Sequence, residues 1–326
     1  MLHKARLRQP PMHLLSPQQI QTRSADPAQC TGRVPLRPVD FSRPFIPERF
    51  TQLYYAPAYA RLSREQRLRY NQLFALKVSE QIMAFEQDFT NRVLRQLLRD
   101  PRLDPTLGAC LARMVREEET HQALFRELNA HCLPQLYAGS ERHFVRLGHL
   151  ERWALVLGGR FAPRLPFLLF FVLALEEYSA ALSRAMLKER EAELGPLEPN
   201  FVAVHVEHLK DEARHVHLDV HVLQALLRAA SPRRRRLDAR LLAAFLKDIL
   251  VPKRSGLRVL RQLVADCPEL RPLAGRLEAE LRALQHDPAF QRSLFNRDDM
   301  PHTFALFDSQ PELALLQGVL AGYERG

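Results

Sequence analysis

The sequence is short of the features that define zinc-binding, disulfide-stabilised or secreted proteins. Its 326 residues include only four cysteines, which are scattered and form no CxxC pair. Their spacing excludes a zinc ribbon and a dense disulfide framework, and it favours a reducing compartment. The first residues carry charge but no apolar run long enough for export, so we expect a cytoplasmic location.

Long hydrophobic runs are also lacking. The longest is LPFLLFFVLAL at 165–175. This is about half of the roughly 20 residues that a membrane-spanning helix needs. The sequence therefore predicts a buried core helix at this position and no membrane association.

Acidic residues are fewer than basic ones, which leaves a formal net charge of +10. A basic surface favours acidic partners such as nucleic acid, an acidic electron carrier, an acyl- or peptidyl-carrier protein, or an anionic substrate. The densest basic segment, PRRRR at 232–236, has no interleaved aromatic residues and accompanies no nucleic-acid motif. We therefore predict a solvated loop leading into a helix, and no nucleic-acid partner.

Strand-like alternation is lacking too, and the chain beyond Pro57 has helical character nearly throughout. Residues 1–45 have many prolines and little periodicity, which predicts an extended arm before a single domain at 46–326. Unbroken segments in that domain predict four long helices, at 63–100, 105–133, 163–194 and 199–230. Shorter helices are predicted near 141–157, 237–251, 256–266, 270–287 and 311–323. The fold class is therefore all-α, with a core of four long helices and additional flanking helices.

The last of the four long helices is rich in groups that bind metals. Its segment HVEHLKDEARHVH at 205–217 contains four histidines and three carboxylates. Each helical residue turns by about 100°, so His208, Glu212 and His215 project from one face, His205 borders that face and His217 points away. A face of this composition can bind iron, manganese or zinc. The alternative interpretation is a charged face that is exposed to solvent.

The other long helices supply matching acidic positions. Glu86 lies in the first, Glu118 and His121 form a Glu-x-x-His pair in the second, and Glu176 or Glu177 lies in the third. This order, Glu and then Glu-x-x-His, repeated once, is the di-iron carboxylate pattern of ferritin-like bundles. Glu176 follows a stretch that is apolar on all sides, where a carboxylate is costly unless it is paired or binds a metal. Oxygen-rich ligation with a few imidazoles suits iron or manganese better than zinc.

Two further acids directly precede the glutamates of the Glu-x-x-His pairs, namely Glu117 and Asp211. In carboxylate–histidine metal sites, an outer carboxylate accepts the second N–H of a ligand histidine and fixes its tautomer. Both acids are therefore candidates for this outer role, with an ordinary surface position as the alternative.

From about Phe45 onward, the sequence resembles the di-iron N-oxygenases of the p-aminobenzoate N-oxygenase type. The resemblance is carried by FIPERFTQLYYAPAYARLSREQRLRYNQLFAL and by an extra histidine one turn before the last Glu-x-x-His, in HLKDEARH. Glu177 remains an alternative to Glu176, and His205 matches no ligand position of the family. The resemblance implies seven metal ligands: Glu86, Glu118, His121, Glu176, His208, Glu212 and His215.

The resemblance also implies an activity. Two iron ions, cycling between Fe2+ and Fe3+, activate O2 as co-substrate and transfer oxygen to an amine nitrogen. The product is a hydroxylamine and, after further oxidation, a nitroso or nitro compound. The implied substrate is a small-molecule or carrier-tethered amine. The implied role of the enzyme is in secondary metabolism. We also expect an external electron donor, a ferredoxin or a reductase, and a homodimer.

Three other classes of protein remain open on the sequence. A di-iron hydroxylase or oxidase acting on C–H bonds of a small or carrier-tethered substrate would use the same ligands, and a radical generator would add a tyrosine such as Tyr178. Iron storage requires a cage of many subunits, which are smaller than this chain. A metal-free helical interaction protein would leave Glu86 and Glu176 buried without compensation. Iron content and product mass separate these classes.

Overall fold

The computed structural model describes residues 14–188 and 191–323, without the side chains at 149, 150, 152, 154, 191 and 192. This part of the chain is predominantly helical, with one short hairpin, which confirms the all-α prediction. Its α-helices in chain order are α1 Pro17–Ser24, α2 Arg64–Phe85, α3 Asn91–Leu97, α4 Pro105–Cys132, α5 Pro134–Tyr137, α6 His149–Arg160, α7 Pro166–Lys188, α8 Pro199–Ala229, α9 Pro232–Ile249, α10 Arg254–Asp266, α11 Ala274–Ala283, α12 Pro288–Leu294 and α13 Pro301–Ser309.

Shorter elements connect these helices. A π-helical turn, Glu86–Thr90, joins α2 to α3. A two-stranded antiparallel hairpin follows α7, in which β1, Glu191–Ala192, pairs with β2, Gly195–Pro196. Its turn uses Gly195, whose φ of 110° lies in the left-handed region that favours glycine. There are also 3-10 helices at Pro27–Gln29, Glu48–Phe50, Leu53–Tyr55, Pro57–Arg61, Ala162–Arg164, Pro268–Leu273, Leu284–His286 and Pro311–Gly318.

Four long helical segments form the bundle. The first is α2 continued by α3, and the other three are α4, α7 and α8. α7 packs along α8, and α4 contacts both α2 and α8. Two clusters of buried apolar side chains lie on either side of a polar middle layer. In α4, Leu111 and Met114 belong to the first cluster, whereas Phe125 and Leu128 belong to the second, and α7 and α8 are divided in the same way. The residues between the clusters are buried in the middle of the bundle.

Local sequence signals set where the long helices begin. Ser63 and Gln66 form a capping box at the start of α2. Asp104 and Glu198 accept backbone N–H groups at the starts of α4 and α8, and each is followed by a proline in the first helical turn. These caps fix the starting points of the helices that carry most of the candidate ligands.

The N-terminal segment lies against the bundle. Ser16 and Gln19 form a capping box at the start of α1, whose Ile20 is buried and which contacts α4 and α8. The predicted arm at 1–45 therefore contains a packed helix, and its first 13 residues lie outside the described residues. The predicted boundary between the arm and the domain stays a prediction.

The prediction of a loop at 232–236 is wrong. Pro232 begins α9, and the Ser231 side chain accepts the backbone N–H of Arg234 as an N-cap. The arginine run therefore forms the first turn of a helix, where Arg235 lies 3.1 Å from Glu312. The proline suits this place because its missing N–H has no partner at the first helical position in any case.

The predicted helix at 141–157 begins only at residue 149. Residues 143–145 are not helical, and their backbone N–H groups all donate to the carboxylate of Glu80 in α2. This buried contact across more than 60 residues of sequence has no local signature.

Three other predicted helices differ from the structure at their ends. The helix predicted at 163–194 ends at Lys188, before the hairpin. The helix predicted at 270–287 is α-helical only in its middle, because a 3-10 segment containing Pro272 precedes α11 and another follows it. The segment predicted as a helix at 311–323 is a 3-10 helix up to Gly318.

In the described part of the chain, α7 alone is long and apolar enough to cross a membrane by length and composition. Its most apolar window is 78% buried within the protein. The core helix of a soluble protein satisfies the same criterion, and this burial agrees with the predicted core helix at 165–175.

Candidate metal centre

Seven buried side chains from four helical segments meet in the polar middle layer. They are the seven residues predicted from the sequence, and each is at most 3% exposed. They form two groups that share Glu212. Within each group, the four residues place one possible ligand atom each within 4.8 Å of the others: Glu86, His121, His208 and Glu212 in the first group, and Glu118, Glu176, Glu212 and His215 in the second.

Two carboxylates face both groups. Oε2 of Glu118 lies 3.5 Å from Nδ1 of His121, whereas its Oε1 lies 3.1 Å from Nδ1 of His215. Oε1 of Glu212 lies 3.1 Å from Nε2 of His208 and 3.5 Å from Nδ1 of His215. A carboxylate in such a position can bridge two cations and offset the repulsion between them.

Glu86 is positioned by the π-helical turn that it begins. Its Oε1 lies 3.4 Å from Nε2 of His208 and 3.7 Å from Nδ1 of His121. A π turn accommodates an extra residue within a helix and is frequent at functional sites. The sequence gives no signal for it, because the segment contains neither glycine nor proline.

The inward-facing atoms of the centre have no hydrogen-bond partner in the described part of the chain. This is true of both carboxylate oxygens of Glu118 and Glu212, both ring nitrogens of His208, and Nδ1 of His121 and of His215. Buried polar atoms are normally hydrogen bonded, so a cluster of unpartnered ones needs an explanation. A set of oxygens with three imidazole nitrogens fits bound iron or manganese.

The pKa values in the centre show how strongly its charges interact. Burial, with the nearby carboxylates of Glu118 and Glu212, raises the pKa of Glu176 well above its ordinary value. Burial lowers the pKa of His215, but the hydrogen bond to Glu117 and the other nearby carboxylates outweigh it and hold the pKa well above its ordinary value. Metal ligation needs ionised carboxylates and neutral imidazoles, so cations would replace these protons.

Outer carboxylates hold two of the three histidines. Nε2 of His121 lies 3.1 Å from Oδ2 of Asp211, and Nε2 of His215 lies 3.0 Å from Oε2 of Glu117. These distances confirm the predicted outer contacts. Arg214 donates hydrogen bonds to both acids and so joins them. Both imidazoles are thereby held with Nδ1 directed at the centre.

His208 is held differently. In the described part of the chain its Nδ1 has no hydrogen-bond partner, and its ring packs edge-on against Phe125 at a centroid distance of 5.0 Å. His205 lies outside both groups, where the Ser183 hydroxyl is 3.3 Å from its Nδ1. Burial lowers the pKa of His205 to about 3, so this imidazole is neutral.

The N-terminal segment adds a residue that the sequence does not point to. Thr31 donates its backbone N–H to Asp211 at 3.1 Å and its hydroxyl to the carbonyl of Glu207 at 2.9 Å. The same hydroxyl lies 3.2 Å from Nε2 of His121. Thr31 therefore covers the outer side of one ligand pair, although it is 90 residues or more from its partners in the sequence.

The structure separates the roles of the two adjacent glutamates of α7. Glu176 belongs to the second group, with Oε2 3.9 Å from Nδ1 of His215. Glu177 accepts the backbone N–H groups of His302 and Thr303 at 2.9 and 2.7 Å, at the start of α13. Glu177 thus anchors a flanking helix and lies outside the centre.

A cavity of about 320 Å³ adjoins the centre. Glu86 and Glu176 line it, one from each group, and Phe85, Phe171 and Leu175 give it an apolar wall. A cavity of this volume suits a small molecule. A larger and more open groove, of about 1260 Å³, lies elsewhere and is lined by none of the seven residues.

The fold and the centre define a ferritin-like helical bundle with a candidate di-metal site built from carboxylates and histidines. A family model described as "P-aminobenzoate N-oxygenase AurF" matches residues 34–265. The chain belongs to this family, as the sequence resemblance predicted. The family is one of di-iron N-oxygenases that act on an aromatic amine. No curated protein matches the chain.

Proposed function

We propose that the protein is a non-haem di-iron oxygenase that uses O2 to N-oxygenate an amine. The observation that carries the proposal is the pair of buried four-residue groups that share Glu212 and are both faced by Glu118. Membership of a family of amine N-oxygenases favours an amine nitrogen over a C–H bond as the site of oxygenation.

The reaction balances with an external source of electrons. One amine, one O2, two electrons and two protons give one hydroxylamine and one water, and further rounds give nitroso and nitro products. A ferredoxin or a reductase supplies the electrons, and the net charge of +10 favours an acidic donor. The proposal includes a small or carrier-tethered substrate, a role in secondary metabolism, a homodimer and a cytoplasmic location.

The proposed roles of the residues follow from their positions. Glu118 and Glu212 each face both groups, so they would contribute to holding both irons. Bound iron supplies the redox equivalents and open coordination positions with which O2 is activated. Glu117 and Asp211 fix the ligand tautomers, and the apolar cavity wall keeps bulk water from the reacting nitrogen. The other five residues would each hold one iron: Glu86, His121 and His208 in the first group, and Glu176 and His215 in the second.

The experiment that tests the proposal is product analysis with a panel of amines. Iron-loaded protein receives a chemical reductant, isotopically labelled O2, and p-aminobenzoate, other anilines or aliphatic amines in parallel. We expect a product that contains labelled oxygen on nitrogen, and none from Glu118→Ala. Glu119→Gln changes the exposed acid next to Glu118 and is the matched control, which should retain activity.

The alternatives give different products. A labelled hydroxyl group on carbon would favour a di-iron hydroxylase. If the protein binds two irons per chain and oxygenates nothing in the panel, the proposed function is contradicted.

A further inference from the structure

The large groove at one end of the bundle carries positive charge that the proposed chemistry does not use. It has a volume of about 1260 Å³ and lies where α3 and α8 end and where α4, α7 and α9 begin. Among the described residues, the acids that line it are Asp100 and Asp104. Six arginines also line it, and we call it the arginine groove: Arg99, Arg102, Arg160, Arg164, Arg228 and Arg234.

Both acids of the arginine groove are already engaged. Asp100 forms an ion pair with Arg102, whose guanidinium lies 2.6 Å from Oδ2 of the aspartate. Asp104 is the N-cap residue of α4, where its Oδ1 accepts the backbone N–H groups of Thr106 and Leu107 at 2.9 and 3.1 Å. In the described part of the chain, neither acid forms an ion pair with the other five arginines, so the groove keeps an excess of positive charge.

Three of these arginines are available to a partner. Arg99, Arg160 and Arg228 are exposed, and in the described part of the chain their side chains form no hydrogen bond or ion pair. They come from the turn after α3 and from the last turns of α6 and α8. A cation at the C-terminal end of a helix stabilises that helix. That effect does not require three helix ends to place their cations in one groove, where like charges repel each other and attract an anionic partner.

The floor of the arginine groove approaches the candidate metal centre. Val222 of α8 lines the groove and lies seven residues after His215 on the same helix face. The backbones of these two residues are therefore about 10 Å apart along the helix axis. Pro166, which also lines the groove, lies ten residues before Glu176 on α7, or about 15 Å along the axis. Electron transfer slows steeply with distance, so a redox carrier seated in the groove would be well placed to reduce the centre.

The arginine groove is separate from the cavity that adjoins the centre. Among the described residues, none lines both. A carrier protein that delivers a tethered substrate has to dock over the mouth of the cavity, because the substrate must enter it. An electron carrier needs only a short distance to the centre, and docking in the groove leaves the cavity free for the amine. The position of the groove therefore favours an electron carrier as the partner.

We propose that the arginine groove is the docking site of a small acidic one-electron carrier protein of the ferredoxin class. This inference rests on the proposed function and names where its reductant binds. Each round of N-oxygenation consumes two electrons, so two reduced carriers dock in turn, and each gives one electron to the centre and leaves in its oxidised form. A charged groove suits such brief encounters, because electrostatic attraction speeds association more than it strengthens binding.

The test measures electron transfer from a reduced plant-type 2Fe–2S ferredoxin to the iron-loaded, ferric protein. The two are mixed without O2 or amine in a stopped-flow instrument, and the absorbance of the ferredoxin reports its oxidation. The rate constant for the wild type should fall steeply as the ionic strength rises from about 0.01 M to about 1 M, because the Debye length then shrinks from about 30 Å to about 3 Å.

Variants at the three available arginines separate the groove from the general charge of the protein. Their joint replacement by glutamate should slow the transfer about tenfold or more at low ionic strength, and their joint replacement by glutamine should slow it less. The matched control makes the same change of charge at three exposed arginines that line neither the groove nor the cavity, and it should retain most of the rate: Arg240→Glu, Arg261→Glu and Arg271→Glu.

Two further measurements accompany the rates. Calorimetry with oxidised ferredoxin should rank the affinities in the same order as the rates, and it needs no electron transfer. The iron content and melting temperature of each variant show whether it is folded and loaded.

The outcomes distinguish this docking site from the proposed function. The docking site is overturned if the wild type and the glutamate variant of the groove accept electrons at the same rate or not at all, or if the control is slowed as much. It is also overturned if the groove substitutions weaken the binding of an acidic acyl-carrier protein and leave the ferredoxin rate unchanged. Protein that accepts electrons through the groove but oxygenates no amine would retain the docking site and reject the proposed function. Protein that N-oxygenates amines with a chemical reductant, but whose groove variants accept electrons like the wild type, would retain the function and reject the docking site.

Discussion

At the scale of single residues, the outer acids connect the two halves of the centre. Asp211 fixes His121, Glu117 fixes His215, and Arg214 donates to both acids. Burial raises the pKa of the Asp211 carboxyl, but contacts that include His121 outweigh it and hold the pKa well below its ordinary value. Asp211 is therefore ionised and accepts the imidazole N–H at neutral pH.

We expect Asp211→Asn to weaken iron binding while the protein stays folded. The amide keeps the shape of the side chain but is a poorer acceptor for the N–H of His121, and it leaves Arg214 with one acid fewer. The apparent affinity for iron should fall about 10- to 100-fold, as measured by competition with a chelator. Glu119→Gln changes an exposed acid on α4, the helix that carries His121, and should bind iron like the wild type. Equal affinities in the two variants would contradict the outer role.

Contacts between residues close together in the sequence could be predicted, whereas contacts between distant segments could not. Glu118 and His121, or Glu212 and His215, share a helix face within one turn, so the spacing alone predicts their proximity. Thr31 reaches its partners from a different segment, and no local pattern marks that contact.

At the scale of secondary structure elements, the π-helical turn at Glu86–Thr90 positions the first ligand. The sequence predicts one helix at 63–100, and helical structure does extend over most of that range, through α2, the turn and α3. The turn itself was not predictable, because it depends on how α2 and α3 each pack against the rest of the bundle. Residues before it belong mostly to one apolar cluster and residues after it to the other.

Deletion of Gln87, an exposed residue within the turn, should convert it to an ordinary α-helical turn. The removal of one residue rotates α3 by about 100° relative to α2, so either the packing of α3 or the position of Glu86 must change. Circular dichroism should show unchanged helix content, whereas bound iron should fall by about half or more. Gln87→Ala keeps the chain length and should retain iron. Full iron content in the deletion variant would show that the turn does not position Glu86.

The N-terminal segment is the second element whose effect on the centre can be measured. It brings Thr31 to Asp211 and the carbonyl of Gln29 to Arg214. Removal of residues 1–32 should speed iron loss to a chelator several-fold, because the outer acids then lose these contacts. Removal of residues 1–13 alone retains the contacts and should leave the rate unchanged. Equal rates for the two truncations would mean that the segment does not protect the centre.

At the scale of the whole molecule, the fold surrounds a layer of charged groups with two apolar clusters. The class of fold was predictable, because long helices with strong start signals and an apolar run at 165–175 are compatible with few arrangements other than a helical bundle. Flanking boundaries were less predictable, because tertiary contacts such as those of Glu80 with residues 143–145 override local preference. An arrangement with this many buried acids and imidazoles is costly unless cations neutralise it.

The most direct test of the central claim is an anaerobic titration of metal-free protein with Fe(II), in which bound iron is counted per chain. We predict about two irons per chain for the wild type. Glu212→Ala removes the carboxylate common to both groups, so this variant should bind fewer than one. A wild type that binds one iron or none, or a Glu212→Ala variant that still binds two, would contradict the claim that these side chains form a di-iron centre.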